Sequence, residues 1–585
     1  MTHSEIRDKF LKFFESRGHK IVPSSSLLPT DPSVLFTTAG MQQFKPYYTG
    51  QADAMKDFSS LNTVSIQKSM RTSDIDEVGD ESHLTFFEML GNFSFGGYGK
   101  EKALEFALKF LTDEEAGMSI DFNRIYATYC DDHPSFMRDL ESKSILEGLS
   151  FSKDKIKGGS GKDNFWGPTG SEGPCGPTVE FYVDGIEIWN VVFNEYYSNG
   201  PREQLLQSNN YNAGLKPLNK MGIDTGMGLE RLAMVLQKKG NIFETDLFSP
   251  LMNFLPKELP ERIKRIIADH ARSVSFLLSD GVRPSNKEAG YVLRRLLRRI
   301  FVYQYLHNLR PDTLEELMKI VFENYGDIYP ELLKNRNETI NAMWGEYERF
   351  NKTVGAGLKE LEKIKEINGE STFKLYESFG LPYEIIKEIG AERATALTRA
   401  GFEEAFKKHQ EISRAGAEKK FGGHGIKEGD LTAADAEEMK KKTRLHTATH
   451  VIVVALERVL GQKLPQAGSD ITAERLRFDF TFPRKVTPEE LKKAEDIANK
   501  VVSDDLPVTW KEMDLQEALK SGASAFFRQK YPPRVKVYTI GDEKHPFSRE
   551  LCGGPHVSHT GEIGKITIVK EESVSGGRRI RATVN

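Results

Sequence analysis

Cysteine is scarce: the 585 residues hold three, Cys130, Cys175 and Cys552. So few thiols exclude a disulfide-stapled scaffold and suit a reducing compartment. No apolar run reaches the roughly 18 residues of a membrane-spanning helix. The N-terminus, MTHSEIRDKF, is charged at once and has no secretory apolar core, so a cytoplasmic location is expected. An excess of one charge is also missing. The net charge of −4 argues against bulk polycation binding but leaves room for a local basic face. No Gly-x-Gly-x-x-Gly follows a parallel strand and there is no Walker lysine, so Rossmann and P-loop chemistry are both poorly supported. Repeats and low-complexity tracts are absent, which argues against a solenoid. What remains, 38% hydrophobic and 28% charged residues, describes a globular chain too long for one core.

Three textures follow one another. Residues 1–240 mix short helices with β-rich, Gly/Pro-punctuated segments such as VLFTTAG (34–40), GPTGSEGPCGPT (167–178) and EFYVDGIEIWNVVFNEYY (180–197). An α+β domain around an antiparallel sheet is expected. Residues 241–416 carry Leu, Lys, Glu and Arg at helical spacing and read as a helical domain. A Gly-rich charged linker over 417–440 leads to a second α+β domain, 441–585. There a helix containing HTATH precedes alternating segments RLRFDFTF (475–482), RVKVYTI (534–540) and KITIVKE (565–571).

The sharpest constellation pairs His446-x3-His450 with Cys552-x3-His556. Helical i,i+4 spacing puts both histidines of the first pair on one face. Three imidazoles and a thiolate suit zinc in type and number, either as a closed structural site or, with an opened shell, as a hydrolytic one. The bland alternative is a surface helix and a buried thiol. TFFEMLGNFSFG (85–96), preceded by Arg71 and Asp74, reads as an apolar strand and turn. An arginine beside it could meet a phosphate bidentately and a phenylalanine could stack on a purine. In DTGMGLER (224–231) the glycines permit close backbone approach and Arg231 starts a helix. Arg294, Arg295, Arg298 and Arg299 in GYVLRRLLRRIF recur at i,i+4. Residues 251–310 hold twelve Lys and Arg against five Asp and Glu. That stripe is either a solvated face or a phosphate-backbone footprint.

Taken together, these strings resemble the alanyl-tRNA synthetase family. LFTTAGMQQFKPYYTG, TFFEMLGNFSFGGYGK, NFWGPTG with GPCGPT, IEIWNVVFNEY, DTGMGLERLAMVLQ, IADHARSVSFLLSDGVRPSN, HTATH and ELCGGPHVSHTGEIG occur in the family's order over most of the chain. The resemblance implies a class II catalytic domain that activates alanine with ATP and transfers it to the 3′ end of tRNA(Ala). Arg71, Asp74 and Arg231 would be catalytic. Arg71 would grip the α-phosphate, while Phe87 and Arg231 sandwich adenine. Trp166, Asn190, Val192, Asp224 and Gly226 would form the alanine pocket, with Asp224 pairing the ammonium. Mg²⁺ would accompany ATP. His446, His450, Cys552 and His556 would hold Zn²⁺ in an editing module that hydrolyses mischarged Ser- or Gly-tRNA(Ala). Asn286, Arg294, Arg298 and Glu377 would read the acceptor stem.

The chain departs from the family pattern in several places. The loop after Arg71 is short, with only Thr72 and Ser73 before Asp74. Glu377 stands where the family has aspartate, and Pro555 where it has threonine. The β-barrel before the editing module and the C-terminal coiled coil and tRNA-binding domain have no counterpart, so a monomer is expected. Two other readings compete: a deacylase whose first domain no longer activates, and a non-catalytic RNA-binding paralogue.

Overall fold

The computed structural model describes residues 1–585 apart from 32, 133–137, 208–214, 421–432, 434, 465, 483, 525–531 and 575–576. The chain forms two compact units, Met1–Arg399 and Ala400–Asn585. No helix among the described residues is long and apolar enough to cross a membrane.

The first unit is built on a nine-stranded sheet: β1 (Lys20–Ile21), β2 (Asn62–Met70), β3 (Phe86–Ser94), β4 (Ile125–Asp132), β5 (Ile156–Ser160), β6 (Phe165–Trp166), β7 (Gly173–Val183), β8 (Ile186–Ser198) and β9 (Leu215–Gly228). The order is β1-β2-β3-β9-β8-β7-β4-β5, with β6 paired to β7. All neighbours are antiparallel except β1/β2 and β4/β5. The strand period of two sorts side chains between the faces. On β8, Trp189 and Val191 are fully buried. Trp189 meets Phe10, Phe14 and Phe110 at centroid distances of 5.6–6.2 Å. Ile188, Asn190 and Val192 alternate with them and line a cavity.

Two segments differ from their sequence texture. VLFTTAG forms no strand. It docks through single bonds, Thr37 N–H to Leu27 O (2.9 Å) and Met70 N–H to Thr37 O (2.8 Å), and leads into the 3-10 turn Gly40–Phe44. The turn-rich GPTGSEGPCGPT supplies the first half of β7. A break in the β7–β8 pairing between Cys175 and Thr178 accommodates Gly176 and Pro177, which face Trp166 and Phe165 of β6 instead.

Residues 241–399 are helical and belong to the same unit as the sheet. The helix Glu261–Ser279 carries Arg272, fully buried. Its guanidinium donates to Phe86 O (2.5 Å), Glu230 (2.8 Å) and Tyr325 Oη (3.0 Å). One cation therefore ties β3, the helix Leu229–Leu236 and the helix Thr313–Tyr325 together. Where a plain linker is expected, the helix Arg399–Lys420 runs into it and the helix Ala436–Leu460 begins within it. Most of the stretch between them lies outside the described residues.

In the second unit, the helix Ala436–Leu460 is capped by Asp435 and closed by Gly461 at φ 70°. With Pro488–Ser503 it packs on the four-stranded sheet β10 (Gln466–Ile471), β11 (Leu476–Phe480), β16 (Gly577–Val584), β15 (Ile566–Val574). Leu476, Phe478 and Phe480 alternate into this core. Between them, Asp479 is held by a bidentate pair with Arg579 (2.7 and 2.8 Å). A second sheet, β12 (Val508–Asp514), β13 (Arg534–Gly541), β14 (Pro546–Leu551), carries the strand that leads into Cys552.

Candidate active site and metal centre

The first-unit cavity has a volume of about 410 Å³. Its wall includes Arg71, Phe87, Met89, Trp166, Glu180, Glu187, Asn190, Val192, Asp224, Gly226 and Arg231. Register explains much of the assembly. β8 and β9 set Asn190 opposite Gly226 and Val192 opposite Asp224, so two adjacent cross-strand pairs supply four pocket residues on one face. A Cβ at Gly226 would lie 3.0 Å from Met89 Sδ of β3, so a larger residue there would require that methionine to shift. Trp166 joins from β6 through its pairing with Gly176. Thus every residue expected in the alanine and ATP pockets lines one cavity. Asp74 belongs to the turn Ser73–Asp76, and its side chain lies outside the described residues.

Asp224 is 4% exposed, and no salt bridge reaches it among the described residues. Burial pushes its carboxyl up to about 8. A carboxylate buried without a counter-charge is costly and marks a place for an incoming cation. Arg71 follows β2, with its N–H on Thr85 O (2.9 Å) and its guanidinium 4.9 Å from the Phe87 ring centroid. Arg231, in the first turn of the helix Leu229–Leu236, meets Glu187 at 3.2 Å; both are about 40% exposed. A cation, an aromatic face and a second cation thus border one space.

The arginine stripe divides into two. Arg295 and Arg299 turn inward and hold the short loop after Arg71. Arg295 pairs with Asp76 (2.8 Å) and Glu384, Arg299 donates to Ile75 O (2.8 Å), and Arg399 joins on Asp76 (2.6 Å). All four guanidiniums are in fact engaged within the protein, Arg294, Arg295 and Arg298 being 12–16% exposed and Arg299 buried. Arg294 and Arg298 converge on Glu346, which is fully buried (3.0 and 2.7 Å). Arg294 also donates to exposed Asn286, and Arg298 to Gly380 O (3.2 Å), which caps the helix Gly369–Phe379 that carries exposed Glu377. The four expected tRNA contacts are thus linked through one helix.

In the second unit, ligand atoms of His446, His450, Cys552 and His556 lie within 4.8 Å of one another. Cys552 Sγ is 3.5 Å from His446 Nε2 and 3.1 Å from His556 Nε2. Each histidine is oriented through its other nitrogen: His446 Nδ1 on Pro555 O (3.0 Å), His556 Nδ1 on Thr447 Oγ1 (3.2 Å), His450 Nδ1 on Glu550 (2.5 Å). That leaves the Nε2 atoms for a metal, with their partners fixing the tautomer. Donor type, number and spacing all fit a tetrahedral zinc ion. Pro555 lacks an N–H but contributes its carbonyl. Burial opposes ionisation of the Cys552 thiol, yet His446, His556 and His450 hold its pKa well below the usual value. Burial likewise disfavours a charged His450, and Glu550 and Cys552 override it. His556 is pushed down to about 3, by burial and then by His446.

Sequence reasoning did not find Glu180, Glu187, Thr447 or Glu550. Glu180 and Glu187 sit within continuous strand text, and only their register brings them to the cavity. Glu550, two residues before Cys552, carries no spacing signal of its own.

Comparison with known proteins agrees with this geometry. The family model "tRNA synthetases class II (A)" matches residues 5–464, and "Threonyl and Alanyl tRNA synthetase second additional domain" matches residues 535–581. The alanine–tRNA ligase of Borrelia hermsii is 40% identical over 619 residues, covering 100% of this chain and 99% of the relative. That of Treponema denticola is 40% identical over 624 residues with the same coverage. That of Dehalococcoides mccartyi is 34% identical over 719 residues, covering 99% of this chain and 79% of the relative. With both modules matched and two of these relatives aligned over nearly their whole length, the chain belongs to the class II alanyl-tRNA synthetases.

Proposed function

We propose that the chain ligates alanine to tRNA(Ala) in two steps and hydrolyses mischarged Ser- or Gly-tRNA(Ala) at the second-unit cluster. The buried Asp224 carboxylate, which no cation among the described residues pairs, in a cavity shared with Arg71 and Arg231, carries the reading. The ammonium of alanine pairs with Asp224, which returns that carboxylate to its charged form. Val192 and Trp166 bound the space left for the side chain. The alanine carboxylate oxygen attacks the α-phosphorus of ATP, the bond to the bridging oxygen breaks, and pyrophosphate leaves. Arg71 offers its guanidinium to the charge that builds on the α-phosphate. Phe87 stacks on the adenine, with Arg231 over the opposite face once it leaves Glu187. ATP is taken as its magnesium complex; Glu187, a half-exposed carboxylate in the wall, has the ligand chemistry such a cation takes. In the second step a terminal ribose hydroxyl attacks the alanyl carbonyl and AMP leaves. Asn286 and Glu377 meet the acceptor stem, and Arg294 and Arg298 brace them through Glu346.

An alanine-sized pocket rejects serine by only about a hundredfold, because the hydroxyl adds little bulk. The ester of a mischarged tRNA must then be hydrolysed elsewhere. His446, His450, Cys552 and His556 would hold zinc, which supplies Lewis-acid polarisation when bound. Pro555 O, Glu550 and Thr447 keep the three imidazoles in their ligating tautomers. The test is alanine-dependent ATP–pyrophosphate exchange. A rate no higher than that of Arg71→Ala would sink the proposal.

A further inference from the structure

Glu180 belongs to none of the motifs that mark the cavity, yet it lines the wall and is 6% exposed. On β7 it stands in register with Asn190 of β8. Its carboxylate collects three donors: Tyr182 Oη at 2.7 Å, Asn190 Nδ2 at 3.1 Å and Thr128 Oγ1 at 3.3 Å. Asn190 is left with a buried Oδ1 that has no hydrogen-bond partner among the described residues. An orphaned amide oxygen is costly unless a ligand completes it. An ionised carboxylate can only accept, so it dictates which end of the amide faces it. The nitrogen must turn to Glu180, and the oxygen is presented away from it.

The geometry points to Glu180 as a positioning residue that orients the Asn190 amide, so that a primary ammonium group meets two acceptors, Asp224 and Asn190 Oδ1. This rests on reading the cavity as an amino-acid pocket. It deepens that reading by giving Asn190 a definite polarity and naming the group that sets it. Were Glu180 protonated, its O–H could donate to Asn190 Oδ1. The amide would then flip and present an NH₂ group to the ammonium, a donor facing a donor.

The carboxyl is poised for this change. Burial raises it to about 7; the Tyr182 and Thr128 hydrogen bonds oppose the rise, while Glu187 on β8 and Asp163 ahead of β6 add to it. The other charged or titratable groups around it are Arg202, Tyr126 and Tyr182. Asp224 titrates across the same cavity, at about 8. It does so with or without Glu180, so the informative signal is a difference between two pH profiles.

Alanine-dependent pyrophosphate exchange would be measured from pH 6 to 8.5 for the wild type, Glu180→Gln and the swap Glu180→Gln/Asn190→Asp. In Glu180→Gln the amide orientation is no longer dictated. The alanine KM should rise about tenfold at pH 8, with kcat and the ATP KM within about twofold. The part of the wild-type rise in alanine KM that occurs as pH falls through 7 should vanish. The swap exchanges donor and acceptor across the same hydrogen bond. The carboxylate introduced at position 190 accepts from the amide introduced at position 180 and still offers an oxygen to the ammonium, so the alanine KM should return to within about threefold of the wild type. An unchanged alanine KM in Glu180→Gln, an equal loss in kcat or ATP KM, a retained wild-type pH profile, or a swap that stays tenfold impaired would each overturn the proposal. Should Glu180→Gln fail to fold, the swap decides alone on the same threefold and tenfold limits. Absence of exchange in the wild type would instead remove the ligase reading itself.

Discussion

Replacing Asp224 with asparagine should separate function from stability in opposite directions. No counter-charge among the described residues reaches the buried carboxyl, and burial raises its pKa from the ordinary 3.8 to about 8. Between those values the folded chain keeps a proton that the unfolded chain has released. Stability therefore falls as pH rises through the window, and the full penalty is present above pH 8. Each pH unit removes about 1.4 kcal/mol, or about 4 kcal/mol by pH 7 as an upper bound. Asparagine does not titrate, so Asp224→Asn should unfold at a higher temperature than the wild type at pH 8, with the gap closing towards pH 4. Alanine activation should suffer. Removing one partner of a buried ion pair costs about 3–5 kcal/mol, a fall in kcat/KM for alanine of roughly 10²–10⁴-fold. Pyrophosphate exchange and thermal unfolding on the same samples, read on the transition that ATP raises in the wild type, check both halves. A variant less stable than the wild type at pH 8, or one that keeps its alanine kcat/KM within threefold, would refute the reasoning.

Other substitutions probe the remaining parts. Arg71→Ala should lower exchange by about 10²-fold and raise the ATP KM, while hydrolysis of Ser-tRNA(Ala) continues unchanged. Cys552→Ser should lose bound metal by elemental analysis and lose Ser-tRNA(Ala) hydrolysis, with alanine exchange intact. Glu346→Gln should strip the shared partner from Arg294, Arg298 and Arg349. It should destabilise the first unit by about 3–5 kcal/mol, seen by thermal unfolding, and impair tRNA charging more than pyrophosphate exchange.

The sequence was most informative where chemistry is carried by residue type at short spacing. HTATH with CGGPH picked out four side chains whose ligand atoms converge, and the helix Ala436–Leu460 delivers His446 and His450 one turn apart as the spacing requires. The antiparallel sheet and the helical middle were legible from periodicity. What stayed hidden depends on register and long-range pairing. Asn190 opposite Gly226, and Glu180 opposite Asn190, arise from strands whose order is not written in any local pattern. The arginine stripe misled for a related reason. Helical spacing put four guanidiniums in a row, but Asp76, Glu384 and Glu346, distant in sequence, decide which of them face inward. VLFTTAG had strand composition, yet at Thr37 it makes only single backbone bonds, to Leu27 O and from Met70 N–H.

In the proposed function Asp224 anchors the ammonium of an amino acid whose side chain Val192 and Trp166 keep small, beside a nucleotide held by Arg71 and Arg231. ATP–pyrophosphate exchange with alanine, glycine, serine and leucine tests it most directly. Alanine should be activated best, serine at roughly a hundredfold lower kcat/KM, and leucine not detectably. Exchange that ignores amino-acid identity, or leucine activated as well as alanine, would contradict the pocket described above.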